Sequence, residues 1–303
     1  MSGKGAGLWT LSIVIGLLFA AFFIYVAYDI VSKGLSNWQQ WIISRPFIAL
    51  GRDFWFVVAG ILWVIGTIIF FMEVSGDTID RSFRIVKNNV KWDAVDVTVT
   101  ALSAAIYGGS LAATGGIPII PGFTWLRPGN ALAPLFGMLF GVPGALGTAI
   151  GNFIADALTG YLSIGSIGGF IGNFMIAYLP YKFMKDHSFR SPRSIIEYYI
   201  WGAVIGSIYV ALYISWWLDA LEPVIGLPRP LIWGRFAPWV IFNDAIVTST
   251  ITPILGYLLY PPIKMRGLYW KDRVGLPITH FPHLTPSSRW CFCSTGLGEA
   301  SSL

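Results

Sequence analysis

The run Ile-Pro-Gly-Phe-Thr-Trp-Leu-Arg-Pro-Gly-Asn (Ile120 to Asn130) leads into an apolar stretch broken by Gly141, Pro143 and Gly144. The passage closes on Gly-Asn-Phe-Ile-Ala-Asp (Gly151 to Asp156). Apolar, small and isolated polar residues alternate here. Gly137 and Gly141, Gly147 and Gly151, and further on Gly168 and Gly172, are each four residues apart. That spacing puts each pair on one helix face and lets backbones approach closely. Asn152 and Asp156 are also four apart and share a face. A carboxylate inside an apolar helix costs roughly 2.5–3.5 kcal/mol on insertion scales, so it is expected to face a cavity or a partner. The stretch reads as a polar site among membrane helices.

Composition points the same way. Of 303 residues, 55% are hydrophobic and only 12% charged, against about 25% charged in soluble domains. That excess exceeds what one soluble core holds and fits an all-α polytopic membrane protein. The net charge of +5 is therefore a matter of topology, and no nucleic-acid partner is expected from it. Cys291 and Cys293 both fall in the polar tail, so no disulfide framework holds the fold, and a lone Cys-x-Cys lacks the ligands for a metal site. No cofactor is implied. The first apolar run, residues 8–31, is longer than the roughly 7–15 residues of a signal-peptide core, so it reads as an uncleaved span.

Outward from the central stretch, the apolar runs predict eight helices, near 8–31, 54–72, 95–114, 131–140, 143–160, 167–183, 194–218 and 238–260. The run at 131–140 is about 15 Å long as a helix and cannot cross a core of roughly 30 Å unaided. Pro143 suits the first turn of the helix that follows. The division expected is two additional N-terminal membrane helices (1–73), an amphipathic connecting helix (74–92), a six-helix membrane domain (93–273) and a disordered tail (274–303). The connecting helix rests on Ile79, Phe83, Val86 and Val90 at helical spacing, with Arg81, Arg84, Lys87 and Lys91 elsewhere on the surface, a pattern suited to an anionic membrane face. Trp38, Trp41 and Arg45 resemble an interfacial belt between the first two spans.

With the N-terminus in the cytoplasm, the inner segments carry Lys4, then Arg81, Arg84, Lys87 and Lys91, then Lys182, Lys185, Arg190 and Arg193, then Lys264, Arg266, Lys271 and Arg273. The outer segments carry Lys33, Arg45, Arg52, Arg127, Arg229 and Arg235. The inner excess predicts a multi-pass cell-membrane protein with both termini cytoplasmic and with Arg127 outside.

The chain has no P-loop, no His-Glu-x-x-His and no Gly-x-Ser-x-Gly, and His187, His280 and His283 lie in predicted connections or the tail. Neither ATP binding through a P-loop nor conventional hydrolysis has support. The informative residues are the polar ones within apolar spans: Asn152, Asp156, Asn173, Asn243 and Asp244. Ile-Gly-Asn-Phe occurs twice, at Ile150–Phe153 and Ile171–Phe174. The amides can simply bridge helices, each contributing about 0.6–2 kcal/mol; the two aspartates need a stronger reason to be there. Trp125, Tyr161, Tyr209, Tyr213, Trp216, Trp217, Trp233 and Trp239 gather at the outer ends as an interface belt, of which Trp125, Tyr209 and Tyr213 are candidates to stack on a flat heterocycle.

The passage from Leu126 to Asp156 resembles the substrate-binding S components of energy-coupling factor transporters, six-helix membrane proteins that capture vitamins and related micronutrients from outside. The resemblance covers about residues 92–273. It implies a lid loop at 115–130, an outward-open pocket, and partner subunits: a transmembrane coupling subunit and separate ATPases. Ala101-x-x-x-Ala105 is similar to the small-residue motif through which S components dock on the coupling subunit. On this reading Trp125, Arg127, Asn130, Asn152, Asp156, Asn173, Tyr209, Tyr213, Asn243 and Asp244 are the substrate-binding candidates, with no catalytic and no metal residues. Two N-terminal spans depart from the six-helix unit. The rival readings are an intramembrane enzyme using Asp156 and Asp244 as an acid/base pair, a structural assembly protein, and a cation-coupled carrier, for which the two halves show no clear inverted repeat.

Overall fold

The computed structural model describes residues 3–80, 83–88, 90–115, 118–120, 124–125 and 127–273. The expected tail, with His280, His283, Cys291 and Cys293, lies outside the described residues. Helices dominate, and among the described residues five are long and apolar enough to cross a membrane. The N-terminal pair is α1 (Gly3–Lys33) and α2 (Arg45–Val74), with Gly51 breaking α2 near its start by a left-handed φ of 76°. Asp29 ties the connection between them by accepting from the Ile42 backbone N–H at 2.8 Å and from Lys33.

Between α2 and the next helix the expected amphipathic helix is absent. Residues Asp77–Ile79 (β1) and Ile85–Lys87 (β2) instead form a short antiparallel hairpin. Gly76 leaves the helix at φ 91°, and the β-branched Thr78, Ile79, Ile85 and Val86 favour extended backbone. Glu73 then holds the hairpin back against α2 by accepting from Thr78 and from Asn88. Local propensity and one buried carboxylate outweigh the helical spacing of four apolar residues.

The remaining helices form the bundle: α3 (Ala94–Thr114), α4 (Leu132–Phe140), α5 (Val142–Leu158), α6 (Ser166–Phe183), then α7 (Pro192–Tyr198) continuing through a π-helical turn (Tyr199–Ile205) into α8 (Gly206–Ala220). Short helices α9 (Glu222–Ile225) and α10 (Arg229–Leu231) and a second π-helical turn (Ile232–Phe236) lead to α11 (Ala237–Met265), and α12 (Trp270–Arg273) follows. A second hairpin, β3 (Pro118–Ile120) with β4 (Thr124–Trp125), interrupts the loop after α3.

The glycine spacing is used as close packing. Gly147 and Gly151 of α5 meet the α3 backbone, and Gly137 of α4 lies so near α6 that a Cβ there would sit 2.0 Å from the Ala177 carbonyl. Gly141, at φ 71°, makes the sharp turn that sends α4 back into α5. Buried charge closes the far end. Arg273 of α12 bonds both carboxylate oxygens of Asp93, which caps α3, at 2.7 and 2.8 Å and also reaches Asp96 in its first turn.

His187 lies in the connection between α6 and α7, 1% exposed, with its ring against the Tyr269 hydroxyl (2.9 Å) and the Pro180 carbonyl (3.3 Å). Burial, and then the nearby Lys271 cation, push its pKa down to about 4, from an ordinary value near ~6.5.

Two expectations follow. Gly137→Ala loses at least about 2 kcal/mol of stability by overpacking α4 on α6, while Gly109→Ala, with open space around it, is neutral or gains up to ~1 kcal/mol; thermal unfolding in detergent compares them, and equal midpoints would refute the packing account. For His187, the folded state binds fewer protons than the unfolded chain between pH ~6.5 and ~4, so stability falls as pH drops through that window, by up to about 3 kcal/mol. His187→Gln should flatten the thermal midpoint between pH 7 and 4.5; an unchanged acid limb would exclude His187 as its source.

Candidate functional site

The loop after α3 ends in a 3-10 turn, Pro128–Ala131, whose Pro at the first position presets the backbone. It is pinned from two sides: the Gly129 N–H donates to the Thr114 hydroxyl at 3.1 Å, and the Thr252 hydroxyl donates to the Ala131 carbonyl at 2.6 Å. This carries Arg127 over the end of the bundle. Its backbone N–H donates to Asn243 Oδ1 (3.0 Å), one terminal nitrogen to Asn152 Oδ1 (3.2 Å) and the other to Asp156 Oδ1 (3.1 Å). Asn152 Nδ2 in turn donates to Asp156 Oδ2 at 3.4 Å. The four-residue spacing on α5 therefore presents an amide and a carboxylate to one guanidinium.

A second set lies beside the first. Asn130 Nδ2 donates to Asp244, as does Asn243 Nδ2 at 3.3 Å. The Tyr107 hydroxyl bridges Asn130 Oδ1 (3.2 Å) and Asn173 Oδ1. Asn173 is fixed by its own donation to the Gly169 carbonyl (2.8 Å), and its carbonyl accepts from Thr148 (2.9 Å). One cavity is lined by all seven of Arg127, Asn130, Asn152, Asp156, Asn173, Asn243 and Asp244; Tyr161, Ser163 and Ser166 add hydroxyls, and Val210, Ile214 and Leu218 of α8 with Phe236 and Val240 form an apolar wall. An apolar hollow with a few convergent polar groups is the usual design of a small-molecule site.

Three of the sequence candidates stand elsewhere or are not described. Tyr209 and Tyr213 face α2: the Tyr209 hydroxyl donates to the Leu62 carbonyl at 2.6 Å, and the Tyr213 hydroxyl pairs with Thr67 at 2.7 Å. On α8 they point away from Val210 and Ile214, which line the cavity, because adjacent helical positions are turned by about 100°. Trp125 lies on β4, but its side chain is outside the described part. The proposed acid/base pair is also separated by function. Asp156 is committed to Arg127 and Asp244 to two amides. Sequence reasoning missed Tyr107, Ser163, Ser166 and Phe236. Only Tyr107 carried a signal, standing on the α3 face of Thr100, Ser103 and Leu111, all buried.

An all-helical membrane bundle with such a cavity at one end defines a membrane-embedded small-molecule binding protein. A family model described as QueT transporter matches residues 97–261, more than half of the chain. The chain belongs to the QueT transporter family, a family of S components of energy-coupling factor transporters. It is a transport protein and not an enzyme, so the acid/base alternative is not favoured. Comparison with curated proteins and with solved structures finds no match.

The Arg127–Asp156 pair is only 13% and 10% exposed at its side chains. Asp156→Leu should therefore cost about 3 kcal/mol by stranding the guanidinium, and Arg127→Met combined with Asp156→Leu should recover most of it. Unfolding midpoints of the two singles and the double measure this, and a double variant as unstable as the sum of the singles would rule out mutual neutralisation.

Proposed function

We propose that this protein captures a queuosine precursor, a 7-substituted 7-deazaguanine base, from the outside for ATP-driven uptake by partner subunits. The observation that carries the reading is the convergence of Arg127, Asn130, Asn152, Asp156, Asn173, Asn243 and Asp244 on one cavity, inside a chain of the QueT transporter family. A guanine-type edge offers adjacent N–H donors, which a carboxylate accepts in pairs, and a carbonyl oxygen, which a guanidinium or amide donates to. In the free site Arg127 and Asp156 neutralise one another at 3.1 Å. A ligand with both a donor edge and an acceptor lets each exchange one partner for another without stranding charge. Phe236 and the aliphatic residues of α8 supply the apolar wall for a flat ring.

The same reading assigns the rest of the transport machinery. The loop at 115–130, which carries Arg127, serves as the lid. Ala101 and Ala105 are both exposed and line a shallow apolar groove with Trp92, Val97, Ile150 and Ile154, which suits a flat helix of a transmembrane coupling subunit. ATPase subunits of the same transporter supply the free energy. The distribution of basic residues supports a topology with both termini in the cytoplasm and the cavity outside.

The test begins by releasing whatever co-purifies with the protein and identifying it by mass spectrometry. The queuosine-precursor base is then titrated onto wild type, Arg127→Ala and Asp156→Asn. Wild type should bind it, and each variant should bind at least roughly tenfold more weakly, the loss expected for one charge-assisted hydrogen bond. A folded wild type that binds another nutrient, or variants that bind as tightly as wild type, would overturn the substrate or the site.

A further inference from the structure

Outside the family-matched residues, the N-terminal helix pair is joined to the cavity end of the bundle by one buried carboxylate. Asp219, in the last turn of α8, has no exposed side-chain surface. It accepts from Arg52 Nε at 2.9 Å and Arg52 Nη2 at 2.7 Å, from Arg229 Nε at 3.2 Å and from Trp233 Nε1 at 2.6 Å. The donors come from α2, from α10 and from the π-helical turn that follows it, so the distant N-terminal pair and the connection before α11 converge on a single anion. Arg–carboxylate forks of this kind add geometric specificity as well as energy.

Aromatic packing reinforces the same junction. A Cβ on Gly234 would lie 1.9 Å from the Trp38 ring, so the connection between α1 and α2 is seated directly on the π-helical turn. Trp41, fully buried, lies 6.4 Å from Trp239 between ring centroids. The residues interleaved with these contacts are cavity residues: Leu218 precedes Asp219, while Phe236 and Val240 follow Trp233 and Trp239. The wall of the cavity opposite the Arg127 loop is thus held from behind by residues that do not belong to the matched six-helix region.

We propose that the N-terminal helix pair is a brace for the substrate cavity, in which Asp219 holds Arg52, Arg229 and Trp233 together so that Leu218, Phe236 and Val240 keep their places in the wall. Arg52, Trp38 and Asp219 are positioning residues for ligand retention. None lines the cavity: Asp219 adjoins Leu218 in the chain, Arg52 acts through Asp219, and Trp38 through Gly234, two residues before Phe236. The inference rests on the cavity assigned above as the substrate site. It also explains why α2 is fastened at both ends. Glu73, about 32 Å along the helix from Arg52 at 1.5 Å per residue, bonds the Tyr178 hydroxyl at 2.6 Å and Lys182 at 3.2 Å. That second fastening secures α2 to α6 far from the ligand.

The two ends of α2 therefore make an internal control. The full chain, with Cys291 and Cys293 replaced by serine, carries Ser166→Cys as a reporter inside the cavity and is reconstituted in nanodiscs. Labelling of that cysteine by a small maleimide is measured without ligand, and dissociation of the queuosine-precursor base is measured separately. Arg52→Ala should raise both rates roughly tenfold, the loss of a hydrogen bond to a charged group, and Trp233→Phe should raise them less. Arg52→Lys, which keeps the charge but loses the two-nitrogen fork, should rescue only part of the retention lost in Arg52→Ala. Glu73→Gln should lower the thermal midpoint and leave both rates unchanged. Unchanged labelling in Arg52→Ala and Trp233→Phe, or an equal rise in Glu73→Gln, would overturn the brace. Because labelling needs no ligand, a wild type that does not bind the base would count against the substrate alone.

Discussion

An ion drawn into an apolar helical bundle has to bring its neutralisation with it, since neither lipid nor hydrocarbon side chains will solvate it. In this protein that requirement fixes where the helices stand. Arg127 and Asp156 satisfy one another at the mouth of the cavity. Glu73 gathers Tyr178, Lys182 and Asn88 at one end of α2, and Asp219 gathers Arg52, Arg229 and Trp233 at the other. Arg273 bonds Asp93 and Asp96 and so returns the end of the chain to the start of α3. Each group joins at least two elements, so the bundle cannot slide along one helix without stranding a charge.

Between those points the packing is set by small residues. Gly137 admits the α6 backbone, and Gly147 and Gly151 admit α3. With side chains at those positions the helices would stand further apart, and Asn152, Asn173 and Tyr107 would no longer reach a common centre. The break at Gly141 has a related effect: it splits one long apolar run into α4 and α5, so that a helix too short to span the bilayer can lie wholly within the protein. Seven of its nine residues are buried, which is the environment a short intramembrane helix requires.

The family region supplies the cavity's polar half almost entirely by itself, while its apolar wall leans on the N-terminal pair. That division has a physical basis. Polar groups are positioned by hydrogen bonds to each other and need little outside support. An aliphatic or aromatic wall has only packing to hold it, and packing needs a surface behind it. The aromatic rows where α2 meets α8, such as Trp63 against Trp216 at 4.7 Å and Trp217 at 5.8 Å, provide that surface.

Much of this was legible in the residues alone. The helical membrane class followed from apolar runs of sufficient length, and the polar half of the cavity from the cost of placing Asn152, Asp156, Asn173, Asn243 and Asp244 among them. Composition and period carry that information because burial in a bilayer acts on each helix separately. What the sequence could not reveal is which way a side chain turns once helices pack. Tyr209 and Tyr213 had the right chemistry for a ligand, yet they face α2 because Val210 and Ile214 take the cavity side of α8. The segment after α2 had the spacing of an amphipathic helix, but a long-range bond from Glu73 to Asn88 stabilises a hairpin instead. Asp219 stood near a helix end like any interfacial acid, and only the approach of α2 gave it Arg52. Local cost is written along the chain; the partner that meets it is decided in three dimensions, where residues 167 positions apart come within 2.7 Å.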